Sequence, residues 1–199
     1  VSESLITKKA IAKGFKQILK NKSFDKITIT DITAQCGLNR QTFYYHFQDK
    51  YDLINWIVYH EAILVIKKEL TVENWDKKVL ELLSIMKNDM HFYQTTLKEI
   101  AGTEFQNYLF LVTKDIFVEM IEHLTGDSKM NAELAQVMSP DKKTFIAEFM
   151  SFGVVGMIIA WAQNGMKQQP EEITKNIKEI INGARMFAVS RYFQELTKA

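Results

Sequence analysis

Apolar residues recur at helical spacing along most of the chain. From Glu3 to Asn21, Leu5, Ile11, Phe15, Ile18 and Leu19 form one stripe and Lys8, Lys9, Lys13, Lys16 and Lys20 take the other faces, which predicts a first helix with a basic back. The segment Lys22-Ser23-Phe24-Asp25-Lys26 breaks the period and predicts a loop with Phe24 tucked inward. Thr28, with Asp31 three residues on, is a carboxylate variant of the capping box, so a second helix starts there and runs to about Cys36 with Ile29 and Ile32 on its core face. Gly37 stands just past that helix, where a left-handed backbone would cost a side chain roughly 1 kcal/mol. Asn39 caps a third helix starting at Arg40. Asp49 caps a fourth, from Lys50 to about Leu70, with Leu53, Ile54, Ile57, Ile63 and Ile66 apolar, long enough to leave a small head and enter a larger body.

Further stripes predict helices from Asn74 to Asn88 and from Thr103 to Leu124, with a short piece from His91 to Leu97 between them. The polar run from Asp127 to Met138 reads as a flexible loop. Ser139-Pro140 supplies an N-cap and a first-turn proline for the next helix, which ends near Gly165 and is apolar all round from Phe149 to Ala162. A last helix follows Pro170, with Ile173, Ile177, Ile180, Ile181, Ala184, Phe187 and Ala188 on its stripe. These two helices, residues 140–197, carry more apolar surface than one body needs, and Gly153 and Gly156 allow close helix contact. A homodimer through a two-fold four-helix interface is the expectation. The architecture expected is all-α, with residues 1–50 a helix-turn-helix DNA-binding head and residues 51–199 a helical body for effector binding and dimerisation.

Composition agrees: 47% hydrophobic and 12% aromatic residues supply a core, and two prolines and eight glycines are too few for a sandwich or barrel rich in turns. The net charge of +1 conceals a split, since residues 1–50 hold nine Lys/Arg against four Asp/Glu and the remainder holds sixteen against twenty. A basic head on an acidic body suits a DNA-facing module, although a solvated Lys-rich face would produce the same split. The single cysteine, Cys36, leaves no internal disulfide or cysteine zinc cluster and reads as a small buried side chain, with a reducing cytoplasm as the expected compartment. No stretch approaches the roughly 18 apolar residues of a membrane span. Val1-Ser2-Glu3-Ser4 lacks a charged-then-apolar signal pattern.

The segment Gly37–Phe47 is too polar for core and too aromatic for an ordinary solvated face. Leu38, Phe43 and Phe47 can anchor it, which leaves groups that reach base edges and phosphates. Arg40 suits a bidentate contact to guanine and Gln41 one to adenine, each worth about 1–3 kcal/mol of discrimination, and Thr42 can meet a thymine methyl. Lys50, first in its helix, sets a cation beside the helix amides where a phosphate fits. For Tyr44 and Tyr45 the alternative is packing between the first and third helices.

In order and spacing, Ile32-Thr33-Ala34-Gln35-Cys36-Gly37-Leu38, then Thr42-Phe43-Tyr44-Tyr45-His46-Phe47, then Lys50-Tyr51-Asp52-Leu53 resemble the TetR family of bacterial regulators over about the first 55 residues. The resemblance implies that Thr28, Tyr44 and Lys50 hold phosphates and that Thr30, Arg40, Gln41, Thr42, Tyr45 and His46 lie along the groove of a double-stranded DNA operator. Asn39 stands where Ser is more usual in the family, and caps equally well. Homodimers on palindromic sites are implied too. Trp161-Ala162-Gln163-Asn164-Gly165 and Pro170-Glu171-Glu172-Ile173 look like the subgroup regulating dihydroxyacetone kinase operons. In the family, large soft side chains between helices four and eight often line an effector pocket. Candidates here are Trp56, Tyr59, His60, Met86, Met90, Phe92, Phe105, Tyr108, Met120 and Met150, any of which could equally be core.

The histidines at 46, 60, 91 and 123 are scattered, so no metal and no cofactor is expected. With no phosphate loop, nucleophile elbow or His-Glu-x-x-His pattern, an enzyme is not expected either. The reading is a sequence-specific DNA-binding regulator controlled by a small-molecule effector or a protein co-regulator. The alternative is a protein-interaction module, or a co-activator-dependent activator without a small-molecule ligand.

Overall fold

Four helices pack into a head around Phe15, Ile32, Phe43 and Ile54, and further helices build the body behind it in the computed structural model, which describes residues 3–99, 104–126 and 139–196. Every regular element among the described residues is helical. In the head, α1 (Glu3–Leu19) buries Ile11, Phe15 and Leu19. A 3-10 turn at Phe24–Lys26 sets Phe24 edge-on against Phe15, ring centres 6.4 Å apart. Next come α2 (Ile29–Gln35), α3 (Arg40–His46) and α4 (Lys50–Val58).

The body holds α5 (Leu64–Lys67), α6 (Trp75–Asn88), α7 (Met90–Glu99), α8 (Glu104–Gly126), α9 (Pro140–Gln163) and α10 (Pro170–Leu196). Its frame comes from α9 packed along α8 and against α7, and from α10 against α6. Ser139 caps α9 as its sequence implies, the hydroxyl accepting from the Lys142 N–H at 3.3 Å, with Pro140 in the first turn. The polar run 127–138 lies outside the described residues.

One departure from expectation is the helix after Lys50. Instead of running unbroken to Leu70, it passes through a π turn at Tyr59–Ile63 into α5 and ends at Lys67, followed by Glu69 at φ 61°. The wider turn keeps Ala62 and Ile63 in the core while Glu61 meets α1. Single-turn π segments of this kind recur at functional sites. Before α6 the Asn74 side chain closes the preceding loop, accepting from the Thr71 N–H at 2.9 Å and donating to the Glu69 carbonyl at 2.6 Å.

A second departure is α9. By length and composition this one described helix could cross a membrane, whereas no stretch had been expected to approach a span, and a third of its apolar window is buried. Glu148 interrupts its perimeter in an ion pair with Lys114 at 2.7 Å, and Phe145, Phe149 and Phe152 project outward, each about two-thirds exposed.

Head and body meet at Lys16. Its ammonium bonds Glu61 of the π turn and Asp89 between α6 and α7, the latter at 2.6 Å, and lies 4.5 Å from the Phe92 ring centre. His91 Nε2 is 2.8 Å from the carbonyl of Leu19, tying the end of α1 to α7. Beneath them the Tyr93 hydroxyl is buried and meets no hydrogen-bond partner among the described residues, and burial, then the charges of Glu61 and Asp89, pushes its titration far up. Replacing Lys16 by Met leaves two carboxylates over that surface. The expected loss is about 2 kcal/mol, between the surface and buried limits for ion pairs, read by urea denaturation, with Lys16→Arg losing less.

Candidate nucleic-acid interface and body cleft

The proposed reading helix is two turns long and held from both sides. At its start the Asn39 side-chain oxygen accepts from the Thr42 N–H at 2.8 Å and from the Thr42 hydroxyl at 3.0 Å. From below, Phe43 and Phe47 are buried with ring centres 5.7 Å apart. The turn before it depends on Gly37 at φ +66°, a backbone that favours glycine. That turn sits against α1 because Gly14 has no side chain: a Cβ there would lie 2.6 Å from Cys36 Sγ. Cys36 is half-buried, with its thiol 2.8 Å from the Ile32 carbonyl, and burial pushes its titration up, away from a reactive thiolate.

On the outer face, Arg40 and Gln41 are exposed, and Tyr45 is 84% and Tyr44 50% exposed. Arg40 Nη2 lies 3.5 Å from the Tyr44 hydroxyl, and the guanidinium carbon lies 5.9 Å from the Tyr44 ring centre. Tyr44 meets Phe43 edge-on at 5.7 Å, and half-buried His46 meets Tyr45 at 5.0 Å. Thr42 is half-buried with its proton given to Asn39. Thr30 is exposed near the start of α2.

Thr28 is exposed and engaged. Its hydroxyl donates to Asp31 at 2.7 Å, its N–H donates to the same carboxylate at 2.8 Å, and it accepts from the Asp31 N–H at 3.2 Å. Lys22 completes the group, 2.6 Å from Asp31. Lys50 also has partners within the head, donating to the Phe24 carbonyl at 3.0 Å and sitting 4.0 Å from that ring's centre. The first amides of α4 are occupied too: Asp49 accepts from the N–H groups of Tyr51 and Asp52, both at 2.8 Å. A phosphate at this corner therefore competes with the Phe24 carbonyl for Lys50 and with Asp49 for the amides.

In the body the ten effector candidates are dispersed. Met86 and Phe92 are core; Trp56 stacks on His60 at 4.1 Å; Tyr59 and Met90 are a little over one-third exposed; Met150 is half-buried against the core. The side chains of Phe105 and Tyr108 lie outside the described residues. A cleft with about 590 Å³ of empty space, its open mouth included, lies between α6, α8, α9 and α10, and Met120 is the one candidate found among its lining residues. Leu82, Val112, Ile116, Val155 and Ile158 are among its apolar lining residues and Lys78 is its one charged lining residue among those described. Periodicity assigns these aliphatic residues to core stripes and has no means of marking a gap between stripes. No group of three or more metal-binding side chains occurs among the described residues.

Comparison with known proteins places the chain. Residues 73–183 match the family described as "Transcriptional regulator C-terminal region", and residues 16–57 match "Bacterial regulatory proteins, tetR family". The activator DhaS of the dhaKLM operon in Lactococcus lactis subsp. lactis is 26% identical over 121 residues, 61% of this chain and 64% of that one. YxbF of Bacillus subtilis, described as an uncharacterised HTH-type transcriptional regulator, is 24% identical over 188 residues, 88% of this chain and 44% of that one. The chain thus spans less than two thirds of the length of either relative. Among solved structures, a dihydroxyacetone kinase operon activator, DhaS, superposes with TM-score 0.69 at 22% identity, covering 90% of this chain and 96% of that one. NalD, a repressor of the MexAB-OprM efflux pump in Pseudomonas aeruginosa, does so with TM-score 0.56 at 15% identity, covering 89% and 94%. These families and relatives are regulators rather than enzymes.

The Asp31 carboxyl is held down to about 2, first by the Lys22 hydrogen bond and then by the Thr28 backbone and side chain. A depressed carboxyl stabilises the fold above its unfolded value near 3.9, and that contribution disappears as pH falls through about 2. NMR titration is expected to give that low midpoint, and a return toward the ordinary carboxylate range in Lys22→Ala.

Proposed function

The chain belongs to the TetR family of bacterial transcriptional regulators, and on that premise we propose that it binds a palindromic double-stranded DNA operator as a homodimer in the cytoplasm. Residues 1–50 make the DNA contact, and residues 51–199 carry the subunit contact and the effector site. The observation that carries this reading is the two-sidedness of α3: Phe43 is fully buried while Arg40, Gln41, Tyr44 and Tyr45 stand exposed on a frame that holds itself without DNA. Arg40 and Gln41 present bidentate donors and acceptors for guanine and adenine in the major groove. Thr28, Thr30, Thr42, Tyr44, Tyr45, His46 and Lys50 position the duplex or border the groove.

The dimer reading rests on the outer faces of α9 and α10. Phe145, Phe149 and Phe152 are 68%, 69% and 66% exposed, and Ile180 and Met186 are 56% and 74% exposed. Gly153 and Gly156 lie on the same helix as the phenylalanines with open space where a Cβ would point, which lets a second backbone approach. Two heads are also what a two-turn reader needs, because a repeated half-site about 34–36 Å away supplies the rest of the sequence information. Control is a population shift: an effector or protein co-regulator favours one head spacing, and only a spacing that matches successive major grooves binds. An activator and a repressor share this fold, so it serves either sign of control.

Fluorescence anisotropy with DNA from upstream of the gene tests the proposal. Arg40→Ala and Gln41→Ala are each expected to lower specific affinity about 10- to 100-fold while leaving non-specific affinity nearly unchanged, and Tyr44→Phe to weaken all sequences alike. Equal affinity for all sequences in the unaltered protein, with a stable complex in a pull-down, would favour the interaction-module alternative. In sedimentation, Phe149→Glu is expected to yield monomers with reduced operator affinity; a dimer persisting in that variant removes α9 from the interface.

A further inference from the structure

The cleft between α6, α8, α9 and α10 is lined mostly by hydrocarbon. Leu82, Val112, Ile116, Val155 and Ile158 supply the walls. No carboxylate, side-chain amide or imidazole occurs among the described lining residues, whose nitrogen groups are the Lys78 ammonium and the Trp75 indole. Thr113 also lines the space, but its hydroxyl proton goes to the Leu109 carbonyl of its own helix at 2.7 Å.

We infer that this cleft takes an amphipathic monocarboxylate, a single apolar tail ending in one anionic group held by Lys78. The inference rests on the effector reading above and supplies the chemistry of that effector. A polyol or sugar would bury hydroxyls against hydrocarbon with no partners, which is unfavourable for each one. An ammonium ligand would face Lys78. A neutral hydrocarbon would fit the walls and gain nothing from Lys78. A carboxylate matches both parts.

Lys78 is arranged for exchange. Its side chain is 18% exposed, and its ammonium is 3.1 Å from Glu81, a carboxylate 44% exposed that can turn into water when a ligand carboxylate replaces it. The same ammonium is 3.5 Å from the carbonyl of Val65 in α5, at the far end of the run that leaves the head as α4. A ligand that draws Lys78 inward releases that carbonyl, so occupancy reaches the element that joins head to body.

The test is calorimetric titration of the full chain with octanoate, 1-octanol and octylamine. Octanoate is expected to saturate one site per chain at least about 10-fold more tightly than either of the others, a difference set by the charge-assisted contact. Lys78→Met keeps the aliphatic stem and is expected to bring octanoate and octanol within about 2-fold, while Lys78→Arg keeps the preference. Methyl NMR on the unmutated protein is expected to shift Met120, in the cleft, and leave buried Met166, which is not among the lining residues. Octanol or octylamine binding as tightly as octanoate, a preference surviving Lys78→Met, or a shift of Met166 without Met120 would each overturn the inference. Operator affinity measured without octanoate reports on the regulator reading alone, so the two can fail separately.

Discussion

A helix of two turns does not persist on its own, since nucleation fixes several residues before hydrogen bonds repay the cost. For α3 to present a rigid face, everything that stabilises it must come from its ends and its underside. Asn39 satisfies the orphan N–H of Thr42 at the start, and Phe43 with Phe47 fixes the helix to the head core. The outer side chains are thereby excused from structural duty. Arg40, Gln41 and Tyr45 can be chosen for what they meet outside because nothing inside needs them. The same constraint explains Gly14 and Gly37, one allowing α2 to close on α1 and the other turning the chain sharply enough to aim α3 outward.

What was legible in the sequence is what local chemistry decides. The caps at Thr28, Asn39, Asp49 and Ser139 form as their residues imply, because a cap is settled within about four positions of chain. The all-α architecture followed from periodicity for the same reason. The fates of the head's lysines were not legible, because they depend on which distant element packs alongside. Lys16 turns into the body, Lys22 to Asp31 and Lys50 to the Phe24 carbonyl, so part of the basic charge of residues 1–50 is spent internally.

The body shows the limit more sharply. Large soft side chains are poor markers of a cavity, because they are also the best fillers of one. Met86, Phe92 and Tyr93 fill the core near the head, and the cleft opens farther along where aliphatic residues of four helices fail to meet. A gap is a property of how stripes are set against each other, and no single stripe records it. The π turn was hidden likewise: a residue inserted into a helix changes its register without removing the apolar period on either side.

That π turn is where the two halves of the molecule become mechanically related. The run from Lys50 through Lys67 is gripped near its middle, where Glu61 meets Lys16 of α1, and near its end, where the Val65 carbonyl meets Lys78 of α6. A straight α-helix between those grips would carry a displacement along its axis with little change of length. A π turn has a wider hydrogen-bond pattern and interrupts that regular ladder. Through Glu61 and Lys16 this run touches α1, on which α3 packs, so one continuous path of polar contacts joins Lys78 in the body to the head.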